Sequence, residues 1–208
     1  AIATTIEMRD PYTAGHQRRV ATLAVAIATG MGLPRQRIEG IRFGAGIHDV
    51  GLISIPAEIL NRPGRLKPYE FDLVKTHCET GYEILRNIEF PWPMAQMILQ
   101  HHERLEGSGY PAALKGDGIA LEARIIAVAD VVEAMSSHRR YRAALGAAAA
   151  LEEIAGNKGR LYDPAVVDAC VEAFREQGFA FSDRNDALRA GGSDNPRAVA
   201  ETAQSHAC

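Results

Sequence analysis

The chain has 208 residues, of which 47% are hydrophobic, and this is enough for one domain with a buried core. Aromatic residues make up only 6% and alanine is abundant, a composition that favours helices over sheets. The formal net charge of -3 excludes a surface basic enough for general nucleic-acid binding. An anionic ligand would therefore need local positive charge.

The cysteines and the hydropathy pattern indicate a reduced compartment. Cys78, Cys170 and Cys208 form no CxxC pair, and their odd number argues against a disulfide framework. Reduced cysteines predict a cytoplasmic protein. No apolar run approaches the roughly 20 residues of a membrane-spanning helix, and no signal peptide is recognisable. The chain opens at Ala1 within a helical-looking stretch, so we expect an excised domain, and this apolar start suggests a homodimer.

Helical periodicity runs through most of the chain, in segments that glycine and proline separate. In chain order, helices are expected over 12–29, 34–49, 56–60, 68–88 with a break near 76–81, 91–103, 121–137, 146–157 and 164–177. Residues 106–118 are rich in glycine and form a long loop, which is either functional or a plain connection. No alternating strand pattern is present. The expected fold class is all-α.

The last part of the chain differs from the rest. Residues 182–208 are polar, contain Gly191-Gly192 and lack a sustained apolar face, so we expect a disordered tail. The predicted domain is accordingly 1–181.

Asp130 is a candidate site residue because it interrupts an apolar helix at a position that should face the core. A buried carboxylate must be paired, neutralised or coordinated. A salt bridge to Arg124 or Arg139 and ligation of a metal are both open interpretations.

Histidines supply the other candidates: five of the seven stand beside suggestive partners, namely His16, His48, His77, His101 and His102. Taken singly, each could be a core or surface histidine. As a set, imidazoles and carboxylates suit first-row metals, and two metals about 3.5–4 Å apart cleave phosphoesters. Cys78 has no second cysteine nearby in sequence, which argues against a zinc–thiolate site.

The order of these motifs resembles the HD-GYP family, a subgroup of the HD phosphohydrolases, over about residues 7–173. The motifs that carry the resemblance are residues 7–16, His48-Asp49-Val50-Gly51, His77-Cys78-Glu79-Thr80-Gly81, His101-His102-Glu103 with Gly109-Tyr110-Pro111, residues 124–130 ending in Asp130, and residues 139–142.

The resemblance implies a helical bundle with a metal site in its core and cyclic di-GMP as substrate. The reaction would open cyclic di-GMP to linear pGpG through two-metal activation of a bridging hydroxide, and the end product is either pGpG or, after a further cut, GMP. The cofactors would be two transition-metal ions, iron or manganese. A diguanylate cyclase domain would dock on the Gly-Tyr-Pro loop. By residue matching, the metal ligands are His48, Asp49, His77, His101, His102 and Asp130, with Asp49 as the bridge and with His48 and Asp49 as the catalytic pair.

Substrate contacts are expected from Tyr110, Arg139 and Arg142, since arginine binds phosphate in a bidentate manner; solvated helix-end charges are the alternative for the arginines. Some family members hold a third metal through the position of His16 and an earlier glutamate. Tyr12 stands at that earlier position here, so His16 is expected near the site without ligating.

Three departures from the family pattern bear on activity. Leu52 replaces a lysine that contacts phosphate, Glu133 stands where an aspartate is usual, and Arg140 stands where a proline is usual. Loss of the lysine should reduce activity, and it keeps a second hypothesis open: a sensor that binds cyclic di-GMP or a partner domain without efficient turnover. A third hypothesis, another HD-type nucleotide hydrolase, is disfavoured by the Gly-Tyr-Pro segment.

Overall fold

The computed structural model describes residues 15–62, 64–137 and 146–181. Within these ranges the chain forms nine α-helices and no strand, with one isolated bridge between Lys158 and Tyr162. The all-α prediction is therefore confirmed. The helices are α1 (His16–Gly30), α2 (Arg35–Ile47), α3 (Ala57–Leu60), α4 (Pro68–Lys75), α5 (His77–Leu85), α6 (Met94–Gln100), α7 (Leu121–Ser136), α8 (Gly146–Gly156) and α9 (Pro164–Arg175).

The centre of the bundle is α7, which α1, α2, α6, α8 and α9 surround. Its apolar residues are buried on nearly all sides, a pattern typical of a core helix. In contrast, α1 turns one apolar stripe inward, and Val20, Leu23 and Ile27 on it are fully buried. Asp130 thus lies on the helix that these five helices surround.

The boundaries follow local signals in the sequence. Pro68 and Pro164 occupy first-turn positions, where their missing N–H has no helical partner to lose. The Asp163 carboxylate caps α9 by accepting hydrogen bonds from two backbone N–H groups. The expected break near 76–81 is found at Thr76, between α4 and α5. Residues 106–118 form a loop, as expected, with only a short 3-10 turn at Gly116–Gly118.

The C-terminal segment and the membrane-spanning potential of the helices complete the description. The predicted disorder of 182–208 lies outside the described residues, and the domain boundary at 181 stays a prediction. Among the described helices, none combines the length and the apolar character that crossing a membrane requires.

Candidate metal centre

The candidate ligands lie mostly at helix ends. His16 and His77 are the first residues of α1 and α5. The adjacent pairs at 48–49 and 101–102 directly follow α2 and α6, whereas Asp130 lies inside α7. The ends of these helices converge at one place. They thus bring together side chains that lie far apart in sequence, by up to 114 positions between His16 and Asp130.

Gly51 allows the turn after Asp49 to approach α5 closely. A Cβ on Gly51 would lie 1.9 Å from the carbonyl oxygen of His77 and 2.7 Å from the backbone nitrogen of Gly81. These neighbours are backbone atoms, which cannot rotate away, so no side chain fits at this position. The contact between the turn Val50–Ser54 and α5 brings Asp49 beside His77.

Asp49 lies at the centre of the cluster, with each carboxylate oxygen facing a different pair of imidazoles. Its Oδ1 is 3.5 Å from Nε2 of His77 and 3.9 Å from Nε2 of His101. Its Oδ2 is 3.4 Å from Nε2 of His48 and 3.9 Å from Nε2 of His16. This arrangement suits a carboxylate shared between two ion sites.

The remaining candidates divide between the two sides of Asp49. Asp130 Oδ1 lies 3.3 Å from Nε2 of His16 and 4.0 Å from Nε2 of His48. The ring of His102 lies 4.1 Å from the ring of His101, centroid to centroid. The structure thus offers one group around His48 and Asp130 and another around His101 and His102.

The salt-bridge interpretation of Asp130 through Arg124 is wrong. Arg124 donates instead to Asp163 at 2.8 Å and to Asp117 at 3.1 Å. Arg139, the other proposed partner, lies outside the described residues. Among the described residues Asp130 lies beside imidazoles, and a cation there, whether a metal or a protonated histidine, would compensate its charge.

Three of the histidines are oriented by their own backbone. Each places Nδ1 within hydrogen-bond distance of the carbonyl oxygen three residues earlier. The bonds join His48 to Ala45 at 2.8 Å, His77 to Val74 at 2.7 Å and His101 to Ile98 at 2.6 Å. A carbonyl oxygen only accepts, so Nδ1 carries the proton and Nε2 presents a lone pair to the cluster, as metal-ligating histidines do.

The facing lone pairs fit a cation. Nε2 of His77 and Nε2 of His101 are 3.3 Å apart, and with both Nδ1 atoms protonated neither nitrogen has a hydrogen to share. A positive ion between them would remove the repulsion and offset the aspartate charges. Cys78 Sγ is 3.5 Å from His77 Nε2, but burial raises the pKa of this thiol, which disfavours a thiolate ligand. The residues present therefore fit a metal bound by nitrogen and oxygen.

The protonation states of the cluster residues favour binding of a cation. Burial by itself would raise the pKa values of Asp49 and Asp130, but the surrounding histidines outweigh it, and both pKa values are lowered. Burial lowers the pKa of His101, and it lowers that of His102 to about 4. At neutral pH the aspartates are ionised and these two imidazoles are neutral, which is the state that metal ligation needs.

His16 is buried beside the cluster, so it is not a surface histidine. Its Nδ1 hydrogen-bonds the Glu133 carboxylate, which also accepts from Arg19 and Ser137, each at 2.6 Å. Burial lowers the pKa of His16, but hydrogen bonds to Asp130 and Glu133 outweigh it and raise the pKa to about 10. A protonated His16 can act as the link between these two carboxylates. His16 thus lies near the site, as expected, but its Nε2 also lies within reach of an ion shared with His48 and Asp49, so the absence of ligation stays a prediction.

Glu103 organises the Gly-Tyr-Pro loop. Its buried carboxylate accepts hydrogen bonds from the backbone N–H groups of Ala112 at 2.8 Å and Leu114 at 3.0 Å. A Cβ on Gly109 would lie 2.4 Å from the Cα of Glu103, so only glycine permits this fold-back. The loop thereby stacks the Tyr110 ring 4.8 Å from the ring of His102.

The predicted substrate-binding residues fall into two groups. Tyr110 lies directly beside the cluster, whereas Arg139 and Arg142 are outside the described residues. Sequence reasoning missed the roles of Glu103 and Glu133. The role of Glu133 could have been predicted from its spacing, because a residue three positions after Asp130 lies on the same face of the helix. The spacing of Glu103 gave no such indication, since its partners follow in an irregular loop.

Comparisons with known proteins agree with this architecture. The family model described as HD domain matches residues 1–166. The cyclic di-GMP phosphodiesterase response regulator RpfG of Xanthomonas campestris is 42% identical over 170 residues, which cover 81% of this chain and 45% of that protein. A cyclic di-GMP phosphodiesterase of Thermotoga maritima is 41% identical over 172 residues, covering 82% and 47%. The 3'3'-cGAMP-specific phosphodiesterase 2 of Vibrio cholerae is 34% identical over 177 residues, covering 84% and 34%. The chain thus spans about half the length of the first two relatives and a third of the last.

Solved structures share the fold. A cyclic GMP-AMP specific phosphodiesterase of Vibrio cholerae superposes with a TM-score of 0.68 at 20% identity, over 91% of this chain and 51% of that one. The HD domain of the phosphodiesterase PgpH of Listeria monocytogenes gives a TM-score of 0.60 at 20% identity, over 86% and 99%. Bd1817 of Bdellovibrio bacteriovorus, described as a HDG"Y"P protein, gives a TM-score of 0.64 at 19% identity, over 77% of this chain and 51% of that one. The family match over residues 1–166 shows that the chain belongs to the HD domain family.

Proposed function

We propose that this chain is a metal-dependent phosphodiesterase that opens cyclic di-GMP to linear pGpG and cuts it further to GMP. Two relatives above 40% identity carry the name cyclic di-GMP phosphodiesterase, whereas a 3'3'-cGAMP-specific relative is 34% identical. Cyclic di-GMP is therefore the first substrate to test, and 3'3'-cGAMP is the second.

The central position of Asp49 is the observation that carries this proposal. One carboxylate oxygen faces His77 and His101, and the other faces His48 and His16. We assign His48, Asp49 and Asp130 to one ion, and Asp49, His77, His101 and His102 to the other, with iron or manganese as the metal. When bound, such a pair supplies Lewis acidity toward phosphate oxygens and activates water.

The protein's own groups hold this arrangement in place. The Nδ1–carbonyl bonds fix the ring orientations of His48, His77 and His101 before any ligand arrives. Tyr110 offers an aromatic face next to His102 for a guanine base, and Arg139 and Arg142 are proposed phosphate contacts.

Leu52 favours a reduced rate and keeps the sensor as a second candidate. Its side chain is partly buried and packs against the hydrophobic core. An alkyl side chain neither donates a hydrogen bond nor offsets phosphate charge, so the position contributes nothing to binding an anionic group. Docking of a diguanylate cyclase domain on the 107–118 loop and formation of a homodimer stay predictions.

Turnover by the metal-loaded protein tests the proposal. Manganese- or iron-loaded protein is incubated separately with cyclic di-GMP and 3'3'-cGAMP, and the products are separated by chromatography. We expect pGpG and then GMP from cyclic di-GMP, and no product from the Asp49→Asn variant. Tight binding of cyclic di-GMP without any product would establish the sensor function instead. Turnover of 3'3'-cGAMP alone would contradict the substrate assignment.

A further inference from the structure

Helix α4 exposes aromatic side chains next to the candidate metal centre. Its one buried residue is Glu70, whose carboxylate accepts from the backbone N–H of Lys67 at 2.8 Å and from the Arg62 side chain. Tyr69 and Phe71 are instead 64% and 45% exposed. The helix is thus held in place by a polar anchor, and its aromatic residues remain available to a ligand.

Phe71 and Lys75 form a continuous surface with Tyr110. The Phe71 and Tyr110 ring centroids are 6.4 Å apart, with the rings nearly perpendicular at 83°. Lys75 Nζ lies 4.8 Å from the Phe71 centroid and 5.9 Å from the Tyr110 centroid. Because Tyr110 stacks on His102, this group of three residues, called here the aromatic–lysine wall, adjoins the metal centre.

Lys75 adds a positive charge to this surface. Its only ion-pair partner among the described residues is Asp72, at 2.9 Å, and that carboxylate side chain is 69% exposed. Exposed pairs of this kind are weak, so the ammonium can exchange Asp72 for a phosphate at little cost. Leu52, on the turn that follows Asp49, offers no such charge.

We infer that the aromatic–lysine wall of Phe71, Lys75 and Tyr110 is a nucleotide-binding subsite, in which the exposed Phe71 ring stacks on a purine base beside Tyr110 and Lys75 contacts a phosphate of the same cyclic dinucleotide. Stacking on aromatic rings and a cationic side chain beside them are together the chemistry that binds a nucleotide. The wall extends from the exposed Phe71 ring to Tyr110, which lies beside the candidate metal centre. The identity of the ligand as a cyclic dinucleotide rests on the proposed function.

Three variants and one control test the wall. Lys75→Met removes the charge and keeps the length of the chain, Lys75→Arg restores the charge, and Phe71→Leu removes the ring. Lys158→Met is the control, because Lys158 also pairs with an exposed aspartate, Asp168. Two measurements are made with cyclic di-GMP: kcat and KM of the manganese-loaded protein, and the Kd by calorimetry of the chelator-treated protein, which does not turn over.

The expected result is a loss of binding without a loss of chemistry. Lys75→Met should raise KM and Kd about tenfold, the usual effect of one charge-assisted hydrogen bond. Phe71→Leu should raise them at least about fivefold. Lys75→Arg and Lys158→Met should stay within about twofold of the original protein, and kcat should change little in all four, as expected when uniform binding is lost.

Two outcomes would overturn the inference. One is that Lys75→Met and Phe71→Leu behave like Lys158→Met in both measurements. The other is that both variants lose bound metal or melt at lower temperature in step with their loss of affinity, which would indicate a structural role. Failure of the proposed function would give another result, because the original protein would then release no product from cyclic di-GMP. The calorimetric Kd values of the four variants would still test the wall in that case.

Discussion

Replacing Asp49 by asparagine should empty both ion positions at once. Asparagine has the same shape as aspartate, so packing is preserved while the charge is lost. In the structure one Asp49 oxygen faces His77 and the other faces His48, at 3.5 and 3.4 Å from the Nε2 atoms. A single substitution therefore acts on both sides of the cluster. The His102→Ala change, by contrast, acts on the side of His101 only.

The size of the effect follows from the role of the carboxylate. Changes to residues that merely orient a ligand typically weaken metal binding about 10–100-fold. Loss of the shared, charged ligand should exceed that range, so each ion should bind at least about 100-fold more weakly, or about 2.7 kcal/mol. Repulsion between the remaining facing imidazoles is no longer offset by a neighbouring anion, which adds to the loss.

Elemental analysis after dialysis against metal-free buffer measures the outcome. We expect about two ions per chain in the original protein, about one in His102→Ala and close to none in Asp49→Asn. Asp168→Asn is the matched control, because the Asp168 side chain is 65% exposed and contacts only Lys158 among the ion pairs of the described residues. Undiminished metal content in Asp49→Asn would refute the bridging assignment, and a loss of one ion would place Asp49 on one side only.

Four further predictions concern the stability of the fold, the anchoring of the Gly-Tyr-Pro loop and the missing phosphate contact. Removing the metal by chelation should lower the melting temperature by about 10 °C, since a ligand at 1,000 times its Kd contributes about 4 kcal/mol; an unchanged melting curve after verified removal would contradict a core site. Gly51→Ala should leave little folded protein at 37 °C, because its Cβ would meet the His77 carbonyl oxygen at 1.9 Å, and circular dichroism against Gly46→Ala, where nothing lies within 4 Å, measures this. Glu103→Gln should cost about 1–3 kcal/mol, seen in urea denaturation, since an amide can accept only one of the two backbone hydrogen bonds; equal stability would count against the loop anchor. Leu52→Lys should raise kcat/KM for cyclic di-GMP about tenfold if the variant stays folded and metal-loaded, and no gain would show that this position is not the missing phosphate contact.

The helical fold could be predicted because its boundaries have local causes. Pro68 and Pro164 fix φ at the first turn of α4 and α9, and the break after Lys75 falls within the predicted range. Helical periodicity also identified α7 as a core helix that carries Asp130. These features depend on a few neighbouring residues, so they can be recognised in a single sequence.

The geometry of the site depended on contacts that the sequence does not show. The family resemblance implied a bridging role for Asp49, but no motif showed which imidazoles each of its two carboxylate oxygens faces. From the sequence, a salt bridge to Arg124 explained Asp130 as well as metal ligation did. The structure instead shows Arg124 hydrogen-bonded to Asp163. Lys75 gave no signal at all, because its proximity to Tyr110 depends on how a loop folds back 35 positions later.

The Nδ1–carbonyl bonds of His48, His77 and His101 have a consequence for how this site can vary. The last carbonyls of a helix lack intrahelical partners, and each of these imidazoles occupies one of them. The same side chain thus terminates a helix and presents a ligand atom. One residue inserted into α2 would rotate His48 by about 100° about the helix axis and remove both roles together. Insertions should therefore accumulate in the connections and spare these helix ends, so that helix length, as much as residue identity, determines whether a chain of this kind keeps its centre.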